Sequence, residues 1–141
     1  MSETPDLPGD LLALAREDLA SADALDKDER ISDSPVGFHA QQAVEKALKA
    51  ALASRDLEFP FTHDLGVLMQ LCEDAGFDLP PDLAEADRLT PYAAALRYGL
   101  GDPEAVAAKS ALRWADLAIE WADAEIHPPE ASAEGIARRN P

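Results

Sequence analysis

Hydrophobic positions in this chain recur at helical spacing, and no segment alternates as a half-buried strand would. Leu11, Leu12, Ala15, Leu19, Ala22 and Leu25 form one stripe, which predicts a first helix from about Gly9 or Asp10 to Lys27. Asp26 to Asp33 reads as a charged connection. Ser34-Pro35 supplies an N-cap and a proline at the first helical position, so a second helix is expected from there to about Ser54. Pro60 bars helix in the loop from Glu58 to Phe61. Thr62 reads as the N-cap of a third, short helix, with Asp64 in its first turn near the positive end of the helix dipole. Leu65, Leu68, Met69, Leu71 and Cys72 are its apolar residues, and Gly76 stops it.

Pro80-Pro81 ends the next loop. Asp82 opens a fourth helix that carries Leu83, Ala86 and Leu89 inward, breaks or kinks at Thr90-Pro91, and resumes from Tyr92 to about Tyr98. Asp102-Pro103-Glu104 reads as the N-cap and first positions of a fifth helix, running to about Ile126. Val106, Leu112, Leu117, Ile119 and Trp121 are among its apolar residues, with Trp114 near the stripe, and His127-Pro128-Pro129 stops it. The expected fold is all-α, an up-and-down helical bundle of four main helices plus one short helix. Residues 1–8 read as a flexible N-terminus, 9–127 as a single bundle domain, and 128–141 as a disordered C-terminal tail.

The second helix has two faces that both call for cover. At roughly 100° per residue, Ala40, Val44, Ala47, Leu48 and Ala51 fall on one arc and read as core. Phe38, Gln41, Gln42, Glu45, Lys49 and Leu52 fall opposite. A face with a Phe at one end, a Leu at the other and amides and an acid–base pair between them has the mixed character of a buried polar contact. A second bundle helix, a second subunit or a ligand can cover it; the alternative is a solvated face with two stray apolar residues. These six residues are the candidate interface of a homodimer.

Composition narrows the classes of function. The chain has 141 residues, 28 of them acidic and 12 basic, for a formal charge of −16. Nonspecific nucleic-acid affinity comes mainly from Lys and Arg neutralising phosphates, so this charge argues against a broad nucleic-acid-binding surface. Apolar residues make up 47% but aromatics only 6%, which leaves Ala and Leu to build closely packed helices. The single cysteine, Cys72, excludes an intrachain disulfide and reads as small core filler. No apolar run approaches the roughly 20 residues of a membrane span, and no signal peptide precedes the first helix, so a soluble cytoplasmic protein is expected. The histidines are His39, His63 and His127, and neither Glu-x-x-His pairs nor His-Glu-x-x-His occurs. No metal and no cofactor is expected.

Three segments resemble one family. Phe38-His39-Ala40-Gln41-Gln42-Ala43-Val44-Glu45-Lys46-Ala47-Leu48-Lys49-Ala50 is similar to the signature helix of HEPN domains, the helical domains named for higher eukaryotes and prokaryotes nucleotide-binding. Thr62-His63-Asp64-Leu65 matches next. Leu89-Thr90-Pro91-Tyr92-Ala93, running on to Leu96-Arg97-Tyr98, matches third. The resemblance spans roughly residues 8 to 126 and implies a HEPN-like bundle.

Many HEPN domains are metal-independent ribonucleases, and their motif is an Arg followed after four to six residues by a His near the start of the last long helix. There the His transfers a proton while the Arg stabilises phosphate charge. Arg97 lies where such an Arg is expected, but no His occurs between Arg97 and His127. Arg30 to His39 and Arg55 to His63 have the wrong spacing. No catalytic residue is assigned, and the balance falls against an enzyme. A binding site is the remaining expectation, with His39, Lys46, His63, Arg97 and Tyr98 as nucleotide-binding candidates. Either these residues hold a nucleotide, or they are structural, for instance with Arg97 paired to Glu45 across the bundle. In prokaryotes, domains resembling this one often pair with a small nucleotidyltransferase in modules that look like toxin–antitoxin systems. The leading expectation is therefore a non-catalytic HEPN-type binding module for a nucleotide, such a partner, or both. The alternatives are a metal-independent endoribonuclease toxin with a non-standard site and a structural helical dimer subunit.

Overall fold

A computed structural model of the chain describes residues 6–94 and 106–128. Its helices are α1 (Leu7–Asp26), α2 (Asp33–Ser54), α3 (Leu65–Asp74) and α4 (Ala108–Ile126). Two 3-10 helices, Pro81–Leu83 and Ala86–Leu89, lie between α3 and α4, and a helical turn starts at Tyr92. No strand occurs among the described residues. The fold is an all-α bundle.

The centre of the bundle is α2. It packs on α1, α3, α4 and the second 3-10 helix. Twelve of its 22 residues are buried, and six of those are Ala or Gly. Small side chains let neighbouring helices approach from several sides, so cover reaches round the helix instead of stopping at one stripe. Val44 and Leu48, expected in the core, are fully buried.

Local chemistry explains the helix ends. The Asp6 carboxylate caps α1 by accepting from the Gly9 backbone N–H at 3.1 Å. Asp64 caps α3 by accepting from Val67 N–H at 3.2 Å. The cap is thus Asp64 and not Thr62, whose hydroxyl instead accepts from Asp64 N–H at 3.1 Å. Similarly, α2 begins at Asp33 with Ser32 as the capping position, so Pro35 falls inside the first turn rather than at its start.

Both α2 and α3 close with the same double hydrogen bond. In α3, Gly76 N–H reaches Glu73 O and Phe77 N–H reaches Cys72 O, both at 3.0 Å, with Gly76 at φ 91°. In α2, Asp56 N–H reaches Ala53 O and Leu57 N–H reaches Leu52 O, with Asp56 at φ 57°. Asp56 therefore takes the left-handed position that glycine usually fills.

Two further expectations are corrected. The fourth helix does not form as an α-helix from Asp82. Its bonds run to the third residue back, as in Arg88 N–H to Glu85 O and Thr90 N–H to Asp87 O. Leu83, Ala86 and Leu89 are spaced by three, the period at which a 3-10 helix stacks side chains on one face, and all three are fully buried. The last long helix starts at Ala108, not at Asp102, and Val106 and Ala107 are non-helical. Val106 N–H donates to the Tyr92 hydroxyl at 3.0 Å, which holds the chain out of helix there. Asp102, Pro103 and Glu104 lie outside the described residues, as do 1–5 and 129–141.

Arg55 joins the far end of the bundle. Its guanidinium stacks 3.5 Å from the Phe77 ring centroid, donates to Ala75 O at 3.0 Å and faces Glu125 on α4 at 3.6 Å. Trp121 meets the same Phe77 edge-on and donates its indole N–H to Asp78 O at 2.9 Å.

Candidate functional site

Two polar clusters sit on different faces of α2. The first joins α2 to α1. The Asp18 carboxylate, largely buried, accepts from Lys46 Nζ at 2.5 Å and contacts His39 Nδ1 at 3.0 Å. His39 and Lys46 are seven residues apart and share one side of the helix, so one acid on α1 meets both. Phe38 packs edge-on against the His39 ring, with centroids 5.2 Å apart.

The second cluster centres on Glu45, which is buried. One carboxylate oxygen accepts from Gln41 Nε2 at 3.1 Å and contacts His63 Nδ1 at 2.8 Å. The other accepts from Lys49 Nζ at 3.0 Å. Gln41 also donates to the His63 carbonyl at 2.9 Å and accepts from Gln42 Nε2 at 2.6 Å. Lys49 lies over the Phe59 ring, 5.6 Å from its centroid. The loop before α3 is thereby tied to α2 through both the ring and the backbone of His63. No buried polar side-chain atom among the described residues lacks a partner.

This second cluster covers the polar face of α2 within one chain. Gln41, Glu45 and Leu52 of the candidate interface are buried by the chain's own loop and helices. Phe38, Gln42 and Lys49 keep partial exposure. Glu45 takes His63, Lys49 and Gln41 as its partners among the described residues.

The HEPN domain model matches residues 9–126, which takes in the bundle and the loop carrying His63. The chain belongs to the HEPN family. No curated protein and no solved structure matches it.

Within this HEPN bundle the five nucleotide-binding candidates separate. His39 and Lys46 are together on Asp18. His63 stands on another face of α2, roughly 120° round the helix from them by the 3.6-residue repeat. Arg97 and Tyr98 lie outside the described residues. Among the described residues, no group of three His, Cys, Asp or Glu side chains is placed to hold a metal. No described helix is long and apolar enough to cross a membrane.

Sequence reasoning missed Asp18 and Phe61. Asp18 is one acid among several on α1, and only the packing of α1 on α2 singles it out. Phe61 is fully exposed, 6.4 Å from the His63 ring. Its signal was available in the Phe59-Pro60-Phe61 run, where a proline holds two aromatic rings in a loop.

A groove of about 650 Å³ between α1 and α4 is lined by Arg16 and Arg113 beside Asp23 and Asp116. Its charges balance. A second cavity of about 320 Å³ sets Arg88 and Arg113 against Asp82 and Glu85. Neither concentrates positive charge for a phosphate.

Proposed function

We propose that this HEPN domain is a non-catalytic binding module. It takes a nucleotide, pairs with a small nucleotidyltransferase in a toxin–antitoxin-like system, or does both. The observation that supports this reading is the Glu45–His63 pair. A buried carboxylate with three donors holds an imidazole whose side chain is 47% exposed. That arrangement fixes a polar ring at the surface and suits recognition. The nucleotidyltransferase partner comes from the family resemblance alone.

The family's ribonuclease motif is absent from the sequence, so cleavage is not part of this reading. The module is further proposed to form a homodimer through the rim of the α2 polar face, where Phe38 and Gln42 keep partial exposure.

Two measurements test the proposal. Calorimetric titration with nucleotides should give saturable binding, or the chain should co-purify with a nucleotidyltransferase encoded beside it. A chain that does neither is not such a module. Structured RNA incubated with the purified chain should stay intact. Cleavage lost in Arg97→Ala would replace this reading with an endoribonuclease.

A further inference from the structure

Phe61 is fully exposed, although a Phe side chain gains more than most from burial. Its place is nevertheless defined. Pro60 precedes it, and the Thr62–Asp64 hydrogen bond of 3.1 Å shapes the turn that follows. The Phe61 and His63 rings meet with planes at 62° and centroids 6.4 Å apart, so together they form an open corner.

His63 is the fixed wall of this corner. Its Nδ1 is bound to Glu45 at 2.8 Å and its carbonyl to Gln41 at 2.9 Å. An ionised carboxylate only accepts, so in the neutral ring Nδ1 carries the proton and Nε2 is the acceptor. Nε2 makes no hydrogen bond among the described residues. With the ring neutral, the corner offers one apolar aromatic face and one orientated acceptor.

Charge selects which part of a ligand fits. Glu45 is matched by Lys49, and Lys46 is already held by Asp18, so neither lysine is a spare cation. Among the described residues, nothing at the corner recruits a phosphate. The −16 charge of the chain also opposes polyanions.

Taking the nucleotide-binding reading above as its basis, the geometry points to the Phe61–His63 corner as the place where the ligand's base is recognised. A planar nitrogen heterocycle stacks on the Phe61 face and donates an N–H to His63 Nε2, while its phosphate stays in solvent. Stacking on an exposed aromatic is sequence-tolerant, so the class of ligand is a nucleoside or mononucleotide rather than one particular base.

The test uses the full chain with isotope-labelled aromatic rings, titrated with adenosine and with adenosine monophosphate and followed by NMR. Both probes should give saturable shifts of the Phe61 and His63 ring signals, with affinities within about threefold of each other. Phe61→Leu, at a fully exposed position and with fold checked by circular dichroism, should weaken both by about fivefold or more. His63→Gln should weaken both as well.

Saturable shifts confined to other residues would overturn this location and leave the nucleotide-binding reading standing. So would binding of the monophosphate but not of adenosine. Unchanged adenosine affinity in Phe61→Leu, with self-association altered by light scattering, would make the ring a protein contact instead. No saturable binding of either probe up to about 10 mM would end both the location and the nucleotide-binding reading.

Discussion

The Tyr92 ring fills the space that a side chain at position 37 would need. A Cβ on Gly37 would lie 2.4 Å from Tyr92 Cδ1, and Tyr92 in turn accepts the Val106 N–H at 3.0 Å. Gly37 is therefore kept inside α2 despite its helix cost of roughly 1 kcal/mol relative to Ala, because the ring docks directly on the backbone. Gly37→Ala should destabilise by about 1–3 kcal/mol by urea titration, since the ring must shift and strain its bond to Val106. In a Tyr92→Ala background the clash is gone and the same change should stabilise by about 0.5–1 kcal/mol. The same sign in both backgrounds would show that the close approach does not govern Gly37.

The two helix closures make opposite predictions. Asp56 sits at φ 57° and Gly76 at φ 91°. Asp56→Gly relieves a left-handed residue and should stabilise by about 0.5–1 kcal/mol. Gly76→Ala forces a Cβ into that region and should cost about 1–2 kcal/mol. Thermal melts of the two variants, each against the parent, check both signs.

Cys72 gives a pH dependence. Burial pushes its thiol from 9.0 up to about 12. Below pH 9 the thiol is protonated in both folded and unfolded chains and contributes no slope. Between about pH 9 and 12 the unfolded chain releases the proton and the folded chain keeps it, so stability falls as pH rises, by at most about 1.4 kcal/mol per pH unit. Cys72→Ala should be flatter over that window, with its cavity cost showing equally at all pH values. Denaturant midpoints measured from pH 8 to 10.5 separate the two. Parallel curves would mean that the thiol is solvated.

The helices and their buried stripes were legible because α-helical period and apolar burial are local in sequence. The 3-10 pair was not. Leu83, Ala86 and Leu89 at spacing three fit one face of an α-helix as well as a 3-10 helix, and only the bonding distinguishes them. Asp102-Pro103 carries a good local start signal, but the Tyr92–Val106 hydrogen bond, formed between distant residues, keeps Val106 and Ala107 out of helix. The mixed face of α2 was recognisable as covered, yet its cover could be a helix, a subunit or a ligand. It is the loop carrying His63, 18 residues from Glu45 along the chain. Asp18 shows the same limit, since its two partners on α2 depend on how α1 is rotated against α2, which neither helix encodes alone.

The last prediction concerns Glu45. Its carboxylate is nearly enclosed, at 6% side-chain exposure, and Lys49 beside it is at 12%. Removing one partner of such a pair leaves the other charge buried and uncompensated, which costs more than the pair itself contributes. Glu45→Ala should therefore destabilise by about 3–5 kcal/mol. Lys49→Ala should cost less, because Gln41 and His63 still serve the carboxylate. The change also reaches the surface. Without an acceptor at position 45 no described side chain holds the proton on His63 Nδ1, so long-range ¹H–¹⁵N spectra should show one neutral tautomer in the parent and a mixture in a still-folded Glu45→Leu variant, which has no side-chain oxygen. A single unchanged tautomer in that variant would mean that Glu45 does not orient the ring, and His63 would then be placed by its backbone bond to Gln41 alone.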